Sequence, residues 1–261
     1  MKKLTILICC IATIMQLHAQ NREGLNYGLR IGALFANNKT AEYFNGGTNN
    51  ALYHILNTPE YAQQISEYFD SDFSLVNPNY PAMMRYKPSL QIGGTLQYFF
   101  NEQLAFISTV NLSKVRSEGV FQIQLASPAQ SPSMSDNLQE GFISSTENRF
   151  GLELGAHYGK SIKDSRISPF IEGGALIGAL AAISNSMEIG DVSYTLYSTN
   201  NSTEDKHSYF GYGGFVSVGA QIPLDNIATF MLSLDMRGVK FSSLPPNAFT
   251  LQNSITVSVL F

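Results

Sequence analysis

The sequence predicts an all-β chain: a closed antiparallel eight-stranded transmembrane β-barrel with a long, partly helical first extracellular loop. Three observations predict it. Eight segments alternate apolar and polar residues with a period of two, the mark of a strand with two unlike faces. The connections between them alternate long and short. Charged residues make up 14% of the chain, against roughly 25% in soluble proteins, and no later stretch is a helical membrane span.

The first element reads as a secretory signal peptide over residues 1–19. Lys2 and Lys3 form a basic start, Leu4 to Met15 an uncharged apolar core, and Leu17-His18-Ala19 ends on a small residue, as a signal peptidase requires. The 12-residue apolar core is shorter than the ~20 residues of a spanning helix. Cys9 and Cys10 lie inside that core rather than at its end, which disfavours lipidation. Cleavage after Ala19 leaves a cysteine-free chain and moves the formal charge from −4 to −6 by loss of Lys2 and Lys3. Residues 20–261 are then one barrel domain.

The strand segments follow in order. The first is Leu25 to Phe35, with Leu25, Tyr27, Leu29, Ile31, Ala33 and Phe35 on one face and Asn26, Gly28, Arg30 and Gly32 on the other. The next three are Ser89 to Phe100, Leu104 to Lys114 and Asn148 to Gly159. The fifth, Ser168 to Ile183, is rich in glycine and alanine and apolar on both faces, so its register is open and a buried helix competes with a strand. The last three are Tyr209 to Ile222, Thr229 to Gly238 and Phe249 to Phe261. In the last, Val257, Val259 and Phe261 form an apolar face that resembles the assembly signal of bacterial outer-membrane barrels.

Links after the second, fourth and sixth segments are short. Those after the first (Ala36 to Pro88), third (Val115 to Glu147) and fifth (Ser184 to Ser208) are long. Short periplasmic turns and long extracellular loops are the habit of a bacterial barrel. In the first long link, Asn50 to Leu56 and Pro59 to Phe69 read as two short helices, with Thr58 as N-cap, Pro59 at the first position and Glu60 in the first turn.

The strand Tyr27-Gly28-Leu29-Arg30-Ile31-Gly32-Ala33, the cut before Gln20 and the terminal Phe261 resemble the small outer-membrane β-barrel proteins of Bacteroidota, in the broad PorT-like group. The resemblance spans the mature chain as a pattern and implies an eight-stranded barrel in the cell outer membrane. It implies no single activity, and the long first loop departs from the simplest members.

Lumen-facing positions carry Arg30, Arg149 and Arg237 against Glu153, Glu172 and Asp235. They are expected to form an internal charge network, because buried charges must be paired. His157 shares that face and is the first candidate base for a hydrolase site, His54 and His207 lying in loops. No His/Cys/Asp spacing matches a metal site, no cofactor is expected, and no basic cluster points to nucleic acid. Tyr53, Tyr61, Ile65, Tyr68 and Phe69 in the first loop form either a lid over the mouth or a partner surface. The expected partners are outer-membrane lipid, the barrel assembly machinery during biogenesis, and an envelope protein or extracellular ligand.

The leading reading is a non-enzymatic, surface-exposed barrel that binds a partner or supports the envelope. Two alternatives are an accessory component of an outer-membrane secretion or assembly machine and an envelope lipid-modifying enzyme.

Overall fold

A computed structural model describes residues 24–41, 44, 52–76, 84–126, 137–160, 162, 165–198, 208–224, 227–242 and 249–261. The signal segment lies outside them, as do Tyr80, the Ser127 to Ser133 loop tip and the Asn200 to Thr203 stretch.

Eight long strands form the wall: β1 (Gly24–Phe35), β4 (Ser89–Phe99), β5 (Leu104–Leu125), β6 (Leu138–Gly159), β7 (Ser168–Ile189), β9 (Ser208–Leu224), β10 (Ala228–Phe241) and β11 (Phe249–Leu260). Each pairs antiparallel with its two neighbours, and β1 pairs with β11 from Gly28↔Leu260 to Phe35↔Asn253. That last pairing closes the ring, which removes the open sheet edges at the level of the belt. The fold is an all-β, closed antiparallel eight-stranded barrel.

The fifth segment is a strand. Its parity is set by Glu172↔His157 on one side and Glu172↔Ser217 on the other. Gly155 and Gly174 face each other there, and a Cβ at either would sit 2.2 Å from a backbone oxygen of the neighbouring strand. Gly174→Ala is expected to lower unfolding stability by about 1–3 kcal/mol through forced strand separation. Equal denaturation midpoints for the two proteins would contradict that assignment.

The faces of the wall are inverted relative to a soluble protein. Outward residues such as Leu29, Ile92, Phe106, Leu154, Ile177, Val216, Leu234 and Ile255, taken from all eight strands, are 38–65% exposed. Inward residues include Arg30, Glu153, Glu172, Asp235 and Arg237, all buried. A continuous apolar belt outside and a polar filling inside is the pattern a bilayer requires.

Two of the links read as loops are largely strand. β5 runs on to Leu125 and β6 begins at Leu138, while β7 continues to Ile189 and turns back at Gly190 (φ +59°) into β8 (Val192–Ser198). The alternation continues beyond the belt: Val115, Ser117, Phe121 and Ile123 point in, while Arg116, Val120 and Gln122 point out. Above Leu112 the outer face turns polar, so the apolar pattern that marks a membrane strand stops although the strand does not. A bulge at Thr146/Glu147 shifts the β6–β7 register at that boundary. It reverses the parity of β7, so that Asn185, Met187 and Ile189 point inward above it.

The first long link holds α1 (Leu52–Leu56), α2 (Pro59–Phe69), β2 (Phe73–Leu75) and β3 (Arg85–Tyr86). Residues 50 and 51, read as the start of the first helix, lie outside the described set. Both short strands add to the upper part of β5. Pro59 occupies the first turn of α2 and Asp70 ends it in the left-handed conformation (φ 49°), its N–H donating to the Ser66 carbonyl.

Candidate functional site: a filled lumen under a folded cap

The lumen is packed in layers. At the turn end, Phe170, Met231 and Leu260 form an apolar plug. His157 is stacked on Phe170, with centroids 5.2 Å apart, and meets Phe99 edge-on. Its Nδ1 lies 2.9 Å from Glu172 Oε1. His157 is fully buried, and no hydroxyl bonds it among the described residues. A nucleophile–base–acid relay needs a reachable nucleophile beside the base, and the ring faces aromatics instead.

The middle layer is a polar cluster drawn from six strands. Arg30 Nη2 reaches Asp235 Oδ1 at 2.5 Å and its Nε donates to Thr256 Oγ1 at 3.0 Å. Arg237 binds Glu153 through Nε, donates to Ser254 Oγ at 2.6 Å and to Gln91 Oε1 at 3.3 Å, and approaches Asp235 at 3.5 Å. Asn111 donates to Glu153 at 3.0 Å, and Ser254 donates to Asp235 at 2.8 Å. Thr95 and Thr109 share a hydroxyl bond of 2.9 Å beside it.

The structure thus joins Arg30, Glu153, Asp235 and Arg237 in one cluster. Glu172 pairs with His157 below it and accepts from Gln97 at 3.3 Å. Arg149 stands apart from both. Its Nε donates to Glu147 Oε1 at 2.5 Å, its Nη2 to Thr40 Oγ1 at 3.0 Å, and its guanidinium lies 4.7 Å over the Tyr86 ring. Glu147, in the long link after the third segment by sequence, is a buried inward residue of β6. It adds a fourth carboxylate to the buried set, so the expected three-against-three balance is three guanidiniums against four carboxylates among the described residues.

Between these groups Leu176, Leu180, Val239 and Phe241 fill one side of the lumen. A pocket of about 40 Å³ remains between Arg149 and Arg237. That is room for a few waters, not for a diffusion path.

The cap closes the opposite end. Phe44, Leu52, Leu56, Ile65, Phe69 and Met84 from the first link pack on Phe121, Ile123, Ile143, Met187 and Ile189 of the extended strands. Asn185 Nδ2 donates to the Phe44 carbonyl at 2.9 Å, which ties the link to β7. The cap is therefore a helix-on-sheet unit with its own core, built on the same strands that form the wall.

This arrangement corrects the partner-surface expectation. Ile65 (1% exposed) and Phe69 (5%) are core residues and present nothing to a partner. Tyr61 packs edge-on against Tyr194 with centroids 5.6 Å apart. Tyr68 is 39% exposed, and its hydroxyl accepts from Asp191 N–H at 3.1 Å. Tyr53 lies in α1, and its side chain is outside the described set. At the other end of the ring, Phe261 exchanges backbone hydrogen bonds of 2.8 and 3.1 Å with Tyr27, while Val257 and Val259 lie on the outer face of β11.

No family model and no curated protein matches the chain. Solved structures match it across nearly their whole length. Ail, the attachment invasion locus protein of Yersinia pestis, is 10% identical over 92% of this chain and 99% of its own, with a TM-score of 0.36. Neisserial surface protein A is 9% identical over 91% and 98%, at 0.41. The outer membrane protein OprG of Pseudomonas aeruginosa is 11% identical over 93% and 98%, also at 0.41. The fold rests on the ring of strand pairings itself.

Proposed function

We propose that the chain is a non-enzymatic barrel of the bacterial outer membrane that holds a small folded cap at the cell surface, as a binding or envelope-structural module. One observation carries this reading: an exposed apolar belt on all eight wall strands surrounds a filled polar lumen. Among the described residues the lumen is filled, which favours a role carried by the cap over transport through the wall. The belt also supports outer-membrane lipid as its surroundings and the assembly machinery as its route there.

The test is orientation. Gln122 is exposed on the outer face of the cap, and Lys160 lies in a turn at the opposite end. Gln122→Cys is expected to react with a membrane-impermeant maleimide on intact cells, and Lys160→Cys only after lysis. Equal labelling of both on intact cells, or of neither, would overturn the reading.

The His157–Glu172 pair is read here as packing in the plug. His157→Gln is expected to leave the lipid A mass profile of the cells unchanged. A changed acyl pattern would return the lipid-modifying alternative.

A further inference from the structure

Four cations share one outward strip immediately above the apolar belt. On β5 the outward sequence Leu104, Phe106, Val110, Leu112 is followed by Lys114 and Arg116 on the same face. At about 3.4 Å per residue, Lys114 stands about 7 Å above Leu112. β3 lies alongside, with Arg85 opposite Glu118 in register, and Lys87 N–H donates to the Arg116 carbonyl at 2.9 Å. All four side chains are exposed.

One carboxylate serves the strip. Glu118 meets Lys87 Nζ at 2.5 Å and Arg116 Nε at 2.9 Å, which fixes both cations in place. Arg85 and Lys114 have no ion-pair partner among the described residues. On the other flank, β6 offers only uncharged polar groups, Asn148, Thr146 and Ser144, opposite Lys114, Arg116 and Glu118. Arg85, Lys87 and Arg116 of the strip themselves line a cleft of about 590 Å³, with Val120, Phe142 and Glu188 also in its lining, while Lys114 stands outside it. That volume is typical of a small-molecule site. In a chain of net charge −4, four cations on β5 and along β3 against Glu118, with Glu188 at the cleft, is a local reversal of sign.

The direction of the strip selects the ligand. Lys114 and Arg116 point the same way as the residues that face lipid, sideways into the membrane plane rather than up from the cap. Resting on the outer-membrane reading above, we propose that Arg85, Lys87, Lys114 and Arg116 bind the phosphate groups of a phosphorylated glycolipid in the surrounding outer leaflet. Guanidinium and ammonium groups supply the charge-assisted hydrogen bonds that phosphate oxygens accept. The polar β6 groups and the exposed Phe142 ring suit the sugar that carries those phosphates.

The test uses the full barrel folded into phosphatidylcholine bilayers that contain a small fraction of bisphosphorylated lipid A, with retained lipid read by native mass spectrometry. A folded wild-type barrel is expected to retain bisphosphorylated lipid A at least tenfold more than fully dephosphorylated lipid A, because each cation near a charged lipid surface contributes about fivefold. Arg85→Gln with Lys114→Gln, which spares the Glu118 pairs, is expected to lose most of that preference and to keep the fold. Equal retention of the two lipid A forms, equal displacement by phosphatidylglycerol, or an unchanged preference in the variant would overturn the proposal. If the variant fails to fold, the comparison of lipids on the wild-type protein decides. Failure of the wild-type chain to enter bilayers at all would instead overturn the membrane reading on which it rests.

Discussion

Arg237→Met is expected to remove about 3–5 kcal/mol of unfolding free energy, the usual cost of stripping one partner from a buried ion pair. Arg237 is 5% exposed and holds Glu153 through Nε while donating to Ser254 and Gln91. Its loss leaves Glu153 buried, with Asn111 as a hydrogen-bond donor and Arg30 at 3.8 Å as the remaining cation. Adding Glu153→Gln to the variant removes the stranded charge and is expected to recover more than half of the lost stability. Denaturant unfolding of the two variants, followed by the heat-dependent gel mobility of the folded barrel, measures both steps. If the single variant unfolds at the wild-type midpoint, the central cluster does not stabilise the barrel.

Phe121→Ala is expected to open the cap while the wall stays folded. Phe121 is 1% exposed, and its ring lies where a Cβ on Gly141 of the paired strand would sit, so the ring occupies space that only a glycine leaves free. Truncating a buried phenylalanine costs about 3–5 kcal/mol. Phe121 is the largest fully buried side chain of the cap core, so much of the cap's own stability goes with it. The belt, the lumen cluster and the closing β1–β11 pairing do not involve Phe121. Limited proteolysis is expected to cut between α1 and β2 in the variant and not in the wild type, with unchanged heat-dependent mobility of the wall. Simultaneous loss of the wall signal would show that cap and barrel unfold as one unit.

These two expectations rest on features that were unequally legible in the sequence. The wall strands were legible because membrane strands have two contrasting faces, and a period of two shows that contrast in sequence alone. Arg30, Arg149, Glu153, Glu172, Asp235 and Arg237 all lie buried inside the ring for the same reason. The grouping among them was not legible. Arg30 meets Asp235 from β1 across β11 to β10, and that contact depends on the strand stagger, which residue spacing does not encode. Glu147 is not legible as a partner of Arg149 because the outer face of β6 turns polar below it, and the period-two contrast ends there although the strand does not.

By itself the sequence determined the alternation and the inward and outward sets of every wall strand but β7, the two short helices and the order of long and short connections, because each follows from local periodicity or from capping chemistry. Only the tertiary structure decided which charges pair, that β5, β6 and β7 rise past the belt into a shared sheet, and that Ile65 and Phe69 are core. An amphipathic face records that one side of a helix will be covered. What covers it depends on chain segments far away in sequence, here Phe121, Ile143 and Met187, brought under the helices by the closed ring.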